Sequence, residues 1–332
     1  MTIDRRSDVH FFTMGDSGYF LGAVALVNSL RIVGHDEPIT FLDLGLTPAQ
    51  REILSKECEV IDIERDPADH PFTFQPYPAV LHPTGICVIV DSDVIVTQRL
   101  DALIEAAAAG AIAAFPDQIV RRVPEWESIF ELRAPLRCGI PYVNSGLVAF
   151  DAQRHFDFLA RWWYCCRGLH VTVPISGQRP TGFADQDALN ALLMSEHASD
   201  GVALRSPTMR LGAPALAATR VDDVTRLECT SAGGPVAALH SVTQPKPWMP
   251  EARSTLRRNA YLRCLRRCLA GDDLAIAIPD GELPPWLRRG RMLTVTSWFL
   301  HQLQRIERVA YHARVWSQST AKRDPSRQTV DR

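Results

Sequence analysis

The stretch ICVIVDSD, residues 86–93, decides the prediction of the fold. Its apolar half is short and rich in β-branched residues, which is typical of a buried strand in a parallel sheet. Asp91 and Asp93 follow at the carboxyl end of this strand, where open α/β sheets bind their ligands. Residues two apart in an extended segment share a face, so these carboxylates can approach one cation together. The stretch predicts an α/β fold with a Mg²⁺ or Mn²⁺ site, and the alternative is a solvated turn before a helix.

Short apolar runs and amphipathic helical stretches alternate on both sides of this strand. The strands are predicted at 8–14, 39–44, 59–63, 86–90, 111–115 and 142–150. The helices are predicted at 21–32, 47–58, 100–109, 155–166 and 184–197. This alternation predicts a Rossmann-like, mostly parallel sheet with flanking helices. Four prolines between His70 and Pro83 predict an irregular segment there.

The composition is that of an ordinary globular protein, with 46% hydrophobic and 22% charged residues among 332. Residues 285–332 contain ten basic and three acidic residues, a net charge of +7 that leaves −9 on the remainder of the chain. A basic tail on an acidic body predicts an anionic surface as a partner, and we expect no nucleic acid partner.

The eight cysteines form no Cys-x-x-Cys pair and no zinc-finger spacing, so we expect reduced thiols in an intracellular protein. No apolar signal segment precedes the first strand, and no apolar run reaches the roughly 20 residues of a membrane-spanning helix. We therefore expect a cytoplasmic protein, held peripherally on the inner face of the membrane if the basic tail binds lipid.

Further motifs follow the Asp-Ser-Asp strand in a fixed order. They are NSGLVAFD at 144–151 beside a buried strand, DQDALN at 185–190 opening a helix, and HSVTQPKPW at 240–248 after an apolar run. Together with FFTMGDSGY at 11–19, they resemble glycosyltransferase family 8, whose members are retaining transferases of the GT-A type. The resemblance extends from about residue 8 to residue 250. It implies a GT-A fold and transfer of a hexose from a UDP-sugar to an acceptor hydroxyl.

The resemblance also implies a metal site. Asp91, Asp93 and His240 are the expected ligands, and a mixture of carboxylates and imidazole favours Mn²⁺ over Mg²⁺. Lys246, between two prolines, is implied to bind the diphosphate as a point charge. Family 8 usually has glycine where this chain has Thr243. Glycine lets the backbone come close to the phosphate, so this contact is not expected to be the same here.

The donor is implied to contact Met14, Asp16, Tyr19, Ser92 and Asn144. Asp16 matches the carboxylate near the base, and Asn144 matches a ligand of the sugar hydroxyls. Tyr19 matches the ring that stacks on uracil, although packing in the core is the alternative for this residue.

Gln186, Asp185 and Lys246 are the implied catalytic residues. Gln186 faces the anomeric carbon, Asp185 binds sugar hydroxyls, and Lys246 stabilises the departing nucleotide. Asp185 is alternatively the N-cap of its helix. Because an amide is a poor nucleophile, Gln186 favours front-face substitution over double displacement by two carboxylates.

Three other functions remain open from the sequence. A sugar nucleotidyltransferase also uses a metal and a Rossmann-like sheet, but residues 14–18 lack the cation expected in its phosphate loop. A non-catalytic nucleotide-sugar-binding or membrane-associated subunit would keep the fold without the reaction. A metal-dependent hydrolase is disfavoured because no water-activating base is evident.

The domain organisation follows from these patterns. We expect a transferase domain at 1–250, a basic, aromatic helical segment at 251–318, and a disordered tail at 319–332. A helix at 294–316 either binds anionic lipid or packs on the domain.

The acceptor pocket is expected from residues 117–141 and 171–182. In the first of these segments, Trp126 and Phe130 serve either as sugar-stacking platforms or as packing residues. The basic tail favours a glycan or lipid-linked acceptor.

Overall fold

The computed structural model describes residues 8–64, 71–81, 83–169, 181–249, 259–279 and 281–288. Within these residues the strands are β1 (Val9–Gly15), β2 (Ile39–Asp43), β3 (Glu59–Asp62), β4 (Ile86–Val90), β5 (Val94–Val96), β6 (Ile112–Pro116), β7 (Val143–Asp151), β8 (Gly201–Ala203), β9 (Thr208–Leu211), β10 (Arg220–Asp223), β11 (Glu228–Ser231) and β12 (Gly234–His240). The helices are α1 (Phe20–Ile32), α2 (Pro48–Leu54), α3 (Pro78–Leu81), α4 (Asp101–Ala108), α5 (Trp126–Ile129), α6 (Phe156–Arg167), α7 (Ala184–Leu193), α8 (Gly212–Ala218) and α9 (Ala260–Ala270), with a 3₁₀ helix at Pro71–Phe74.

A seven-stranded sheet has the order β3-β2-β1-β4-β7-β6-β8. Its neighbouring strands are parallel except at β7, which is antiparallel to β4 and to β6. This mixed, mostly parallel sheet confirms the predicted fold class. Strand β4 is fully buried, as predicted, although only β1 is its parallel neighbour.

The core lies on both faces of this sheet because alternate side chains of a strand point in opposite directions. On one face, Cys87 and Ile89 of β4 pack in a cluster with residues of α5, α6 and α7. On the other face, Val88 and Val90 pack in a cluster with residues of α1, α4 and α9. Helices therefore cover both faces, as a buried parallel sheet requires.

A second sheet has the order β10-β11-β12-β5, and β9 lies parallel to β12. Strand β5 runs antiparallel to β12, with Val94 opposite His240. The sequence predicts no strand at β5, since three residues are too few to show the alternation of a strand.

The segment from His70 to Pro83 is more regular than predicted. Residues 71–74 form the 3₁₀ helix and residues 78–81 form α3, so the prediction is wrong for these two turns. Pro71 and Pro78 each occupy the first position of a turn, where a missing N–H costs no intrahelical hydrogen bond. His70 and residue 82 lie outside the described residues.

Helix α9 joins the larger core although it lies beyond residue 250. Asn28 of α1 donates to the carbonyls of Cys268 and Ile276, both at 2.8 Å, and accepts from the N–H of Ile276 at 2.8 Å. The division of the chain at residue 250 stays a prediction. The helix predicted at 294–316 and the tail at 319–332 lie outside the described residues. Of the helices that are described, none has both the length and the apolar character needed to cross a membrane.

Candidate active site

The turn between β4 and β5 carries the two carboxylates of the predicted metal site. The N–H of Asp91 donates to the carbonyl of Gly146 at 2.9 Å, and the N–H of Val94 donates to the carbonyl of Asp91 at 3.0 Å. The pairing of β5 with β12 then places His240 beside this turn. His240 Nε2 lies 2.9 Å from Asp93 Oδ1 and 3.4 Å from Asp91 Oδ2. The structure thus brings together the three residues predicted to bind the metal.

Asn144 orients the ring of His240. The amide oxygen of Asn144 accepts from the N–H of Gly146 at 3.0 Å and lies 3.2 Å from His240 Nδ1, so Nδ1 carries a proton. Nε2 is then the nitrogen that faces the carboxylates and is available to a metal. Burial lowers the pKa of His240, but the Asp93 and Asp91 carboxylates outweigh it and place the pKa above its ordinary value. A cation bound here has to displace the proton on Nε2.

Lys246 is a buried cation in direct contact with the site. Its Nζ donates to Asp93 Oδ2 at 2.5 Å and to the carbonyl of Ser241 at 2.7 Å. Burial alone would raise the pKa of Asp93, but His240 and Lys246 hold that pKa well below its usual range. Asp93 therefore stays ionised at neutral pH.

Because Gly146 has no side chain, it leaves room for the side chains of Asp91 and His240 to approach each other. A Cβ atom at this position would lie 2.7 Å from Asp91 Oδ2 and closer still to the ring of His240. One ligand atom from each of Asp91, Asp93 and His240 lies within 4.8 Å of the others. Two carboxylates and an imidazole suit a divalent cation such as Mn²⁺. The residues present fit the metal that the sequence predicts.

The amide of Gln186 is held at both ends. Its Oε1 accepts from Asn144 Nδ2 at 2.9 Å and from the N–H of Ser145 at 3.1 Å. Its Nε2 donates to Asp117 Oδ2 and to the Tyr142 hydroxyl, each at 3.1 Å. Since Asn144 also contacts His240, Gln186 belongs to the hydrogen-bond network that includes the predicted metal ligand.

Asp185 is the second residue of α7, and its carboxyl hydrogen-bonds to Ser145. The N-cap of α7 is Phe183, so the alternative that Asp185 caps the helix is wrong. Burial and the charge of Asp91 raise the pKa of Asp185 to about 8. The carboxyl is therefore mostly protonated at neutral pH and can donate a hydrogen bond.

Asp187, which follows Gln186 directly, has both of its carboxylate oxygens hydrogen-bonded to other protein groups. Its Oδ1 accepts from the Tyr142 hydroxyl at 2.9 Å, and its Oδ2 accepts from Arg121 Nη1 at 2.9 Å and from the N–H of Phe183 at 2.8 Å. Its side chain is 0% exposed. These bonds anchor the start of α7 and the Tyr142 hydroxyl that holds Gln186.

The predicted nucleotide loop contacts the segment that follows β12. The Tyr19 hydroxyl accepts from Gln244 Nε2 at 2.7 Å, and the Tyr19 ring centre lies 5.7 Å from Lys246 Nζ. Trp248 Nε1 donates to the carbonyl of Gly18 at 2.8 Å. Tyr19 also packs against the larger core, so the structure places it both beside Lys246 and on the core.

The other predicted donor-binding residues lie around this loop. Met14 is partly buried against the apolar cluster that contains Phe74, and Asp16 Oδ1 accepts from the N–H of Gly18 at 2.9 Å. Ser92 is 6% exposed. Among the described residues, neither Met14 nor Asp16 hydrogen-bonds to the predicted metal ligands.

Polar residues without an individual role in the sequence-based prediction complete the site. Gln75 donates to Asp91 Oδ1 at 2.8 Å, and Asp117 and Tyr142 hold Gln186 as described above. The signal for Asp117 was its place just beyond a predicted strand, at the carboxyl edge where ligands bind. Trp126 and Phe130 are 0% and 1% exposed, so of their two interpretations packing is confirmed.

The structure is similar to those of solved glycosyltransferases. One is an active-site mutant of LgtC in which a glutamine is replaced by glutamate, with a TM-score of 0.51, 16% identity, and coverage of 76% of this chain and 93% of that chain. Another is the apo form of the bifunctional glycosyltransferase WbbM, with a TM-score of 0.52 and 14% identity over 86% of this chain. The chain has the fold of these glycosyltransferases. The GT-A fold that the resemblance implied is confirmed.

The galactosyltransferase LgtC in complex with donor and acceptor sugar analogues matches with a TM-score of 0.48, 17% identity, and coverage of 73% of this chain and 90% of that chain. The match to WbbM spans 51% of the WbbM chain. No family model and no curated protein matches this sequence.

Proposed function

We propose that the chain is a metal-dependent retaining glycosyltransferase of family 8, which moves a hexose from a UDP-sugar to an acceptor hydroxyl. The convergence of Asp91, Asp93 and His240 on one point, at the carboxyl edge of a glycosyltransferase sheet, is the observation that carries this proposal. Lys246, in contact with Asp93, adds the positive charge that a diphosphate leaving group requires.

The donor side is assigned to the metal ligands and the nucleotide loop. Mn²⁺, or Mg²⁺ in its place, would neutralise the diphosphate charge as the glycosidic bond breaks. Lys246 binds a diphosphate oxygen, Tyr19 stacks on uracil, and Asp16 contacts the base. The contact of the Tyr19 ring with Lys246 supports a position of this ring beside the nucleotide.

Met14, Ser92 and Asn144 complete the donor pocket in this proposal. The contact of Asn144 with both His240 and Gln186 supports its place between the metal site and the sugar.

The reaction proceeds by front-face substitution, in which a diphosphate oxygen accepts the proton of the attacking hydroxyl. Gln186 stabilises the oxocarbenium-like carbon, and Asp185, protonated at neutral pH, donates a hydrogen bond to a sugar hydroxyl. Asp187 is buried with both oxygens hydrogen-bonded, which argues against its acting as a nucleophile. The active-site glutamine of LgtC is consistent with this role for Gln186.

The acceptor side is assigned to residues 117–141, because Asp117 contacts Gln186. Residues 171–180, also predicted for this pocket, lie outside the described residues. The acceptor is a glycan or a lipid-linked glycan, and the basic tail holds the enzyme at an anionic membrane surface on its cytoplasmic side.

Donor hydrolysis and transfer test this function. A panel of nucleotide-sugars with and without Mn²⁺ is assayed on the wild type, on Asp93→Ala, and on Asp36→Ala, an exposed carboxylate before β2 at the opposite edge of the sheet. We expect metal-dependent turnover of one UDP-sugar, lost only in Asp93→Ala, and a product anomer of unchanged configuration by NMR. Inversion contradicts the mechanism, and no response to any nucleotide-sugar favours a non-catalytic subunit.

A further inference from the structure

Gln75 makes the only side-chain hydrogen bond to Asp91 that the described residues show, apart from the contact with His240. The residue follows the 3₁₀ helix at Pro71–Phe74 and is 3% exposed. Its Nε2 donates to Asp91 Oδ1 at 2.8 Å and to the carbonyl of Ser145 at 3.2 Å. Both protons of the amide are therefore committed, one to Asp91 and one to the backbone of β7.

Because of this hydrogen bond, the two oxygens of Asp91 have different partners. Oδ1 is held by Gln75, and Oδ2 faces His240 Nε2 at 3.4 Å. Asp93 is arranged in the same way: Oδ2 is held by Lys246 at 2.5 Å, and Oδ1 faces His240 Nε2 at 2.9 Å. Each carboxylate thus presents one oxygen to the point where the ligands meet, while a separate donor fixes the other.

The two donors differ in charge, and this difference affects a bound cation. Lys246 carries a positive charge, which weakens the pull of Asp93 on a metal ion. Gln75 is neutral, so it orients Asp91 without reducing its charge. Partners of this kind tune metal affinity in other proteins, where removing one typically costs about 10- to 100-fold.

The surroundings of Gln75 keep its amide in place. Its N–H donates to the carbonyl of Phe72 at 3.3 Å, and the N–H of Tyr77 donates to the carbonyl of Phe74 at 2.8 Å. The Phe74 ring packs against Tyr77 and Trp163, at centroid distances of 6.0 and 5.7 Å. The Phe74 ring thus anchors the segment that carries Gln75 on α6, and a residue on an anchored segment is suited to hold a ligand in a fixed orientation.

We propose that Gln75 is a positioning residue for the metal site, which holds one oxygen of Asp91 and turns the other towards the metal without placing a positive charge beside this carboxylate. The inference rests on the proposed function, since it needs a cation at Asp91, Asp93 and His240. It adds a residue that neither the motifs nor the resemblance assigned.

Mn²⁺ affinity, measured by EPR titration without donor or acceptor, tests the proposal. Gln75→Met keeps the length of the side chain and removes the donor, and we expect Mn²⁺ to bind about 10- to 100-fold more weakly. Gln75→Lys restores a donor but adds a positive charge, and we expect it to bind Mn²⁺ at least as weakly as Gln75→Met does. Gln153→Met, an exposed glutamine on the turn after β7, is the matched control and binds Mn²⁺ as the wild type does.

The outcomes separate this inference from the proposed function. If the wild type binds no Mn²⁺, the proposed function itself is wrong. If the wild type binds Mn²⁺ and a folded Gln75→Met or Gln75→Lys variant binds it equally well, the inference is overturned. Thermal melting of each variant in EDTA identifies folded protein, so a purely structural role for Gln75 appears as a lower Tm with unchanged Mn²⁺ affinity.

Discussion

Gly146 shows how one missing side chain permits the site. It lies on β7, while the residues it accommodates, Asp91 and His240, lie after β4 and at the end of β12. The sequence identifies Gly146 as a glycine in a strand, which weakens a strand and often marks a close approach. Which groups approach it follows only from the folded backbone.

A methyl group at Gly146 tests this close approach. We expect Gly146→Ala to weaken Mn²⁺ binding more than tenfold, because its Cβ would lie 2.7 Å from Asp91 Oδ2 and the ligands must separate. Gly281→Ala is the control, since a Cβ there meets nothing within 4 Å. Mn²⁺ affinity equal to that of the wild type would show that the three ligands do not meet beside Gly146.

Asp185 makes the stability of the protein depend on pH. Its pKa of about 8 in the folded state is above the value near 4 of an unfolded chain, so the folded state holds an extra proton between these values. The free energy of unfolding therefore falls as the pH rises through this window, by up to about 1.4 kcal/mol per pH unit.

Asp185→Asn removes this dependence. Between about pH 5 and pH 8, we expect the free energy of unfolding to decrease less in the variant than in the wild type. Urea unfolding in EDTA measures this free energy at each pH. Parallel pH profiles for the two proteins would mean that Asp185 is ionised in the folded state.

At the scale of elements, the short strand β5 decides where His240 lies. The apolar run of β4 and the helical pattern of α7 are long enough to be predicted from their periodicity. Strand β5 has three residues, and its partner β12 is more than a hundred residues away, so no local pattern reveals their pairing. The spacing of Asp91 and Asp93 predicts that they share a cation, whereas His240 joins them only through the resemblance. The pairing of β5 with β12 supplies the physical reason for its place.

The start of α7 depends on the Tyr142 hydroxyl, which bonds both Gln186 and Asp187. We expect Tyr142→Phe to lower kcat about tenfold, since losing about 1.4 kcal/mol of hydrogen bonding in the transition state has that effect. The donor KM should change little, because the metal ligands and Lys246 are untouched.

Tyr164→Phe is the control for this variant. Tyr164 also hydrogen-bonds a carboxylate, Glu131, but is 55% exposed. Steady-state kinetics measure kcat for both variants. An unchanged kcat in Tyr142→Phe would show that the hydrogen bond from Gln186 to Tyr142 does not contribute to the chemical step.

At the scale of the whole molecule, α9 is part of the same core as the sheet. Asn28 makes three hydrogen bonds to the backbone of residues 268 and 276, and it is 0% exposed. The sequence predicts the helix α1, but a buried asparagine that joins two distant segments has no local signature. The alternating strands and helices predicted the main sheet, whereas the packing of the chain beyond residue 250 required the structure.

Asn28→Ala tests this connection. Three buried backbone groups lose their partner, so we expect the free energy of unfolding to fall by about 3 kcal/mol. Urea unfolding followed by tryptophan fluorescence measures the change, and a single transition is expected because α1 and α9 share one core. Arg263→Ala, an exposed change on α9, should have little effect. A loss as small as that of Arg263→Ala would contradict the role of Asn28.

The most direct measurement is calorimetric titration of UDP into the protein with and without Mn²⁺, comparing the wild type with Asp93→Asn and Asp36→Asn. In the proposed function, Asp91, Asp93 and His240 hold a metal that binds the diphosphate. We therefore expect UDP binding that requires Mn²⁺ in the wild type and in Asp36→Asn and that is lost in Asp93→Asn. UDP binding of equal strength in all three proteins, or without Mn²⁺, would contradict it.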